Sequence, residues 1–183
     1  MRKSAKKPGE NWIFGAGCYT WVQDLATRNQ KLEDHLDAAM SAVANAGLTA
    51  WEPIMPDASQ EKNLGELLAK HRLWMPTVYA GARLHETNWK AEVERVVRDA
   101  QRMQKFGTRI IACNPDPIEW GKPIYKNDEQ LAIQAGALKV LTSELKKLNM
   151  TLAYHTHAPE LECPAARELH HMMHATEIGR AHV

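Results

Sequence analysis

The stretch Tyr154 to Glu162 reads YHTHAPELE and gathers more chemistry-bearing side chains than any other part of the chain. His155 and His157 are two residues apart, which on an extended strand puts both imidazoles on one face, and Glu160 follows in the turn beyond them. Imidazole and carboxylate together suit a divalent cation such as Zn, Mn, Fe or Co; the same groups also hydrogen-bond substrate hydroxyls or move protons. Spacing alone leaves these uses open, beside a polar loop with no chemistry. Glu52 is the second candidate, because it interrupts the apolar run LTAWEPIM from Leu48 to Met55, and a carboxylate there is costly unless it is paired or used. Tyr19 and Trp21, at the end of the first apolar stretch, offer either an aromatic wall for a sugar face or packing for a core. Asn114 is either a hydroxyl ligand or a turn-former before Pro115. In HHMMH, His170 and His174 have the i, i+4 spacing of helical zinc sites, but the zincin pattern needs Glu where His171 stands, so a solvated or interface helix is the better reading.

The elements that must carry these groups alternate. Lys31 to Ala46 repeats Leu32, Leu36, Ala39, Met40, Val43 and Ala46 at helical spacing and is stopped by Gly47. Leu64 to His71, Trp89 to Phe106, Asp128 to Leu148 and Ala165 to Ala175 carry the same pattern. Between them lie short apolar runs that read as strands: Trp12 to Tyr19, Leu48 to Met55, Leu73 to Tyr79, Thr108 to Cys113 (ended by Asn114, Pro115, Asp116 and Pro117) and Met150 to Tyr154. Helix and strand in alternation imply parallel pairing with right-handed crossovers, hence an α/β architecture. A dinucleotide-binding open sheet would want a third glycine after Gly15 and Gly17, and Cys18-Tyr19-Thr20 does not supply it. The polar residues cluster at the C-terminal ends of the strands, where (β/α)8 barrels keep their chemistry. Such a barrel needs about 250 residues, so the prediction is an incomplete (β/α)8 TIM barrel of about five parallel strands, whose unpaired edges favour assembly, including a homo-oligomer.

Composition narrows the partners. Of 183 residues, 23 are Lys or Arg and 22 Asp or Glu, a net charge of +1 that gives no field for a phosphate backbone or an anionic membrane. No apolar run approaches a membrane span or a signal peptide, so the expectation is a cytoplasmic protein without nucleic-acid or membrane partners. Cys18, Cys113 and Cys163 are isolated and form neither a disulfide framework nor a thiolate zinc site. Residues 1–11 read as a basic flexible tail and 12–176 as the partial barrel. The last seven, EIGRAHV (177–183), carry neither cap nor amphipathic pattern and back-translate to a common short-read sequencing adapter preceded by G. They are expected to be non-native, the natural protein continuing beyond Thr176.

From Trp12 to Thr176 the sequence resembles the sugar phosphate isomerase/epimerase family, the xylose-isomerase-like barrels that also include inosose dehydratases and type IV apurinic endonucleases. The resemblance rests on GCYTW ending at Trp21, on WEPIM around Glu52, and above all on YHTHAPEL, which looks like the family's Y-H-N-H-x-x-E segment at the fifth strand, with Thr156 where Asn is usual. It implies a divalent metal (Mn, Zn, Co, Fe or Mg) near the barrel mouth, with His155, His157 and Glu160 supplying part of the metal and substrate shell. It implies proton transfer next to a carbonyl of a small sugar, keto-sugar or polyol. Glu52 or His157 is then the base, and His155 with Glu160 the partial metal shell. Two rivals stand beside this reading: a phosphodiesterase acting on abasic DNA, and a half-barrel without catalysis.

Overall fold

Five short strands, parallel wherever they pair, alternate with helices along the chain. The computed structural model describes residues 12–162 and 164–176. The basic tail, Cys163 and the segment 177–183 lie outside the described residues. In order the elements are β1 (Gly15–Gly17), α1 (Tyr19–Ala26), α2 (Leu36–Asn45), β2 (Ala50–Glu52), α3 (Glu61–His71), β3 (Thr77–Ala82), α4 (Trp89–Met103), β4 (Ile110–Pro115), α5 (Asp128–Lys147), β5 (Thr151–Tyr154), α6 (Ala158–Glu162) and α7 (Arg167–Ala175). β1 pairs with β2, β3 with β4 and β4 with β5; backbone bridges from Ala50 to Trp74 and from Ile54 to Tyr79 join the two groups. The strands therefore follow one another in chain order, as in the wall of a barrel.

The helices form where the apolar spacing requires. α2 buries Ala39, Met40 and Val43, and α4 buries Val93, Val96, Ala100 and Met103. α5 opens with a capping box in which the Asn127 side chain accepts from the Gln130 N–H. The segments after α2 and α4 turn through left-handed Gly47 and Gly107, a conformation that glycine adopts without steric cost. No helix among the described residues is long and apolar enough to cross a membrane.

Several boundaries differ from the sequence reading: β2 takes only Ala50–Glu52 of the run from Leu48 to Met55, and the last helix starts at Arg167, after left-handed Ala165 and Ala166. The first strand is only Gly15–Gly17, and Tyr19 and Trp21 stand on α1 instead of continuing it. Trp21, Val22 and Leu25 share one face at helical spacing; Trp21 and Val22 pack on the core and Leu25 is buried. The third strand begins after Pro76, which has no N–H for the ladder but whose carbonyl accepts from the Arg109 and Ile110 N–H groups. β4 continues through Asn114 and Pro115 because the Asp116 N–H takes up the ladder at the Ala82 carbonyl. Helices α1 and α6 were not read from the sequence.

The two faces of the sheet are treated differently. Val78, Ala80, Ala82, Ile111 and Cys113 face the helices and are fully buried. The alternate set, Thr77, Tyr79, Gly81, Ile110, Ala112, Thr151 and Ala153, lies on the concave face and is left partly open. On the same face, an open groove of about 420 Å³ is lined by Gly15, Ala50, Glu52, Thr77 and Ile110.

Close approach of β1 to β2 depends on Gly15, where an added Cβ would stand 2.9 Å from the Ala50 Cβ and 3.0 Å from its carbonyl oxygen. Gly15→Ala is expected to cost roughly 1–3 kcal/mol, since backbone cannot yield as a side-chain tip can. Urea unfolding checks this, and an unchanged midpoint would show that the pairing is looser.

Candidate functional site

The site is built on the upper rows of the concave face. Register places Gly81 opposite Asn114, and the His155 N–H reaches the Cys113 carbonyl at 2.9 Å, so His155 continues the row that Gly81 and Asn114 begin. Tyr79 stands one row below. Its ring meets His155 edge-on at 5.3 Å and His157 at 6.2 Å, the two imidazoles are 4.6 Å apart, and Trp120 packs edge-on against His157 at 5.0 Å. The shared strand face expected for His155 and His157 is thus realised as a contact, although β5 ends at Tyr154.

Glu160 is 1% exposed. One carboxylate oxygen accepts from Asn114 Nδ2 at 2.7 Å and the other from the His157 N–H at 2.9 Å, closing the first turn of α6. Asn114, itself fully buried, also donates to the His155 carbonyl at 2.9 Å. Asn114 therefore braces the histidine segment, a task for which the turn before Pro115 gave no signal.

Electrostatics separates the groups around this row. Burial, and then the neighbouring His155, hold the His157 imidazole below the ordinary histidine range, although Glu160 and Asp116 pull the other way. Burial, and then the Asp116 charge, push the Tyr79 hydroxyl up to about 12, so it stays a donor at neutral pH. Asp116 is raised by burial, against the pull of Arg83, Lys126 and Arg95. Its Oδ1 lies 2.8 Å from the position that a Cβ on Gly81 would take, so the carboxyl folds back over β3 into space that only glycine leaves. Asp116 and Trp120 were missed because each sits in an irregular loop, where periodicity says nothing about direction.

Three predicted residues stand apart from this cluster. Glu52 lines the concave groove and makes no hydrogen bond or ion pair to a described side chain; its main-chain carbonyl accepts from the Cys18 N–H at 2.8 Å. Trp21 packs on Trp51 with ring centroids 5.4 Å apart, at the edge of the core. Tyr19 is 60% exposed and within electrostatic reach of Tyr79.

Among the described residues no group of three or more His, Cys, Asp or Glu is placed to hold a metal ion. Both oxygens of Glu160 are already engaged, so this half of the wall does not by itself fit a divalent cation.

His85, behind this row, is 3% exposed, its Nδ1 has no partner, and burial lowers its pKa. The unfolded chain then binds the proton more readily than the folded one, so this contribution to stability is present above the ordinary histidine pKa near 6.5 and is lost as pH falls through it. Wild type is expected to lose more stability between pH 7.5 and 5.5 than His85→Leu. Denaturant titrations at the two pH values measure this, and equal losses would sink it.

No protein-family model matches the sequence, and no curated protein matches it. Solved structures do. A xylose isomerase-like TIM barrel protein from Mycobacterium smegmatis, crystallised in complex with magnesium, is 10% identical with a TM-score of 0.69 over 90% of this chain and 61% of its own. A D-allulose 3-epimerase from Methylomonas sp. is 16% identical with a TM-score of 0.59, over 88% of this chain and 62% of that one. An L-ribulose 3-epimerase is 17% identical with a TM-score of 0.54, covering 77% and 48%. The chain thus spans about half to three-fifths of the length of the structures it matches, and its fold is the corresponding part of a TIM barrel.

Proposed function

We propose that this chain forms the first five strands of a (β/α)8 barrel enzyme that isomerises, epimerises or dehydrates a small sugar, keto-sugar or polyol by moving a proton next to a carbonyl. The observation that carries the reading is the convergence of Tyr79, Asp116, His155 and His157 at the C-terminal end of the concave face, where barrel chemistry collects. His157, lowered by burial, is neutral at pH 7 and suited to accept a proton, while Tyr79 keeps its own and donates to a substrate oxygen. Glu52 is the alternative base, open to the groove on the same concave face at the β1–β2 end. Tyr19 with Trp120 supplies apolar surface to a sugar face, and Asn114 holds the histidines.

A divalent cation (Mn, Zn, Co, Fe or Mg) would belong to this reading only in the closed barrel, where it would polarise carbonyl and hydroxyl oxygens; His155 would be this half's contribution, since both Glu160 oxygens are taken by Asn114 and the His157 N–H. The same reading places the protein in the cytoplasm. Similarity to sugar epimerases supports the substrate class.

The test is incubation of a complete barrel protein containing this chain with a panel of ketohexoses and ketopentoses in deuterated water. Deuterium is expected at the carbon beside the carbonyl; no exchange into any sugar of the panel would sink the proposal. The open concave face favours a second reading for the 183-residue chain alone, that it exchanges nothing; turnover by that chain would overturn this one.

A further inference from the structure

Behind the mouth lies an ion pair with no part in the chemistry above. Lys126, whose side chain is 2% exposed, donates to Glu168 Oε1 at 2.7 Å and to the Pro115 carbonyl at 3.3 Å. The same Glu168 oxygen accepts from Gln134 Nε2 of α5 at 2.9 Å. Taking such a pair out of water is costly, and apolar side chains of similar size are often as stable or more so. The pair therefore calls for a reason other than stability.

Its place in the chain supplies one. The segment from His155 to Glu168 is held at its start by Asn114, which grips Glu160 and the His155 carbonyl, and at its end by Glu168. Both ties run to adjacent residues of β4, Asn114 through its side chain and Pro115 through its carbonyl. Between them Ala165 and Ala166 have φ of 54° and 52°, left-handed backbone that an alanine holds only when its surroundings fix it. Of the apolar side chains of α7 only Met172 is fully buried, and its other polar ties are those of Arg167, which donates to the Lys126 carbonyl at 2.8 Å and pairs with the exposed Asp128.

We infer that Lys126 and Glu168 are positioning residues: with Asn114 they form a two-point clamp that fixes the His155–Glu160 segment over the end of β4. The catalytic consequence rests on the proposed function, but the clamp itself does not.

The experiment replaces the pair with apolar residues, Lys126→Met together with Glu168→Leu, in the full chain, and follows urea unfolding and segment-resolved amide hydrogen exchange. The expected result is an unfolding midpoint close to wild type, because relief of the buried pair is offset by the Gln134 amide and Pro115 carbonyl losing their partners, with amides of 155–162 exchanging at least tenfold faster and those of α5 much less affected. A single Glu168→Gln, which keeps the shape but leaves the buried Lys126 ammonium without its counter-charge, is expected to speed the same amides and also to lower the unfolding midpoint. Unchanged protection at 155–162 in both variants, or a loss spread equally over α5, would overturn the clamp. In an active complete barrel the double variant should lose kcat with KM retained. If the wild type turns over no sugar while 155–162 still loosens, the functional reading fails and the clamp stands.

Discussion

Alanine at both His157 and Glu160 is expected to reduce solvent-hydrogen exchange into a ketose by at least about 10²-fold in the complete barrel, the lower end of what a positioned acid–base group contributes. The two losses differ in kind. His157→Ala removes the imidazole that touches Tyr79 and Trp120. Glu160→Ala removes nothing that faces solvent, yet it leaves the His157 N–H without its acceptor and takes one of the two partners of Asn114 Nδ2. An orphaned buried donor costs about 1–3 kcal/mol, and the segment regains that by moving away from the geometry the histidines need. Glu160→Gln should be nearly as harmful, because an amide accepting from the His157 N–H turns its own NH₂ toward Asn114 Nδ2, donor against donor. His170→Ala, on the exposed side of α7, is the control and should exchange as wild type does. A double variant with the wild-type rate would remove this segment from the mechanism.

Trp51→Ala is expected to cost about 3–5 kcal/mol, the range for emptying a large aromatic site in a core. Trp51 is fully buried on β2 between strand and helices, and Trp21 leans on it. The indole N–H, however, has no partner. Trp51→Phe thus discards an unsatisfied donor along with some volume and should cost no more than about 1.5 kcal/mol. Unfolding of the two variants in parallel is the check. Equal losses would show that the N–H matters after all; no loss for alanine would place Trp51 outside the core.

The fold was legible where a residue's environment repeats along the chain. Leu131, Ala135, Leu138, Leu141 and Leu145 mark α5, and the stops at Gly47 and Gly107 lie where the structure turns left-handed. Glycine and the apolar run hid the change at Cys18, because Trp12 to Tyr19 reads as continuous strand although its far end already carries the helical face of α1. At the site, the contact between His155 and His157 was anticipated from their two-residue spacing, although both lie just past the end of β5 at Tyr154. The role of Asn114 was not, since it depends on which backbone comes to lie above β4, 41 residues later in the chain. Asp116 was read only as a strand breaker; its carboxyl matters because Gly81, on another strand, leaves room for it.

The concave face has one more consequence, which concerns volume. Its rows are mostly small side chains, Gly15 and Ala50, Gly17, Thr77, Gly81, Ala112 and Ala153, with Glu52, Tyr79, Ile110, Asn114 and His155 the larger exceptions. A barrel interior is filled to the density of a crystal by layers of side chains from opposite walls. A wall this thin fills less than its half of the space, so in a closed barrel the facing strands must carry bulk: leucine, phenylalanine or methionine where this side has alanine and glycine. Ala112→Leu should be harmless in the chain by itself and should keep the complete barrel from closing.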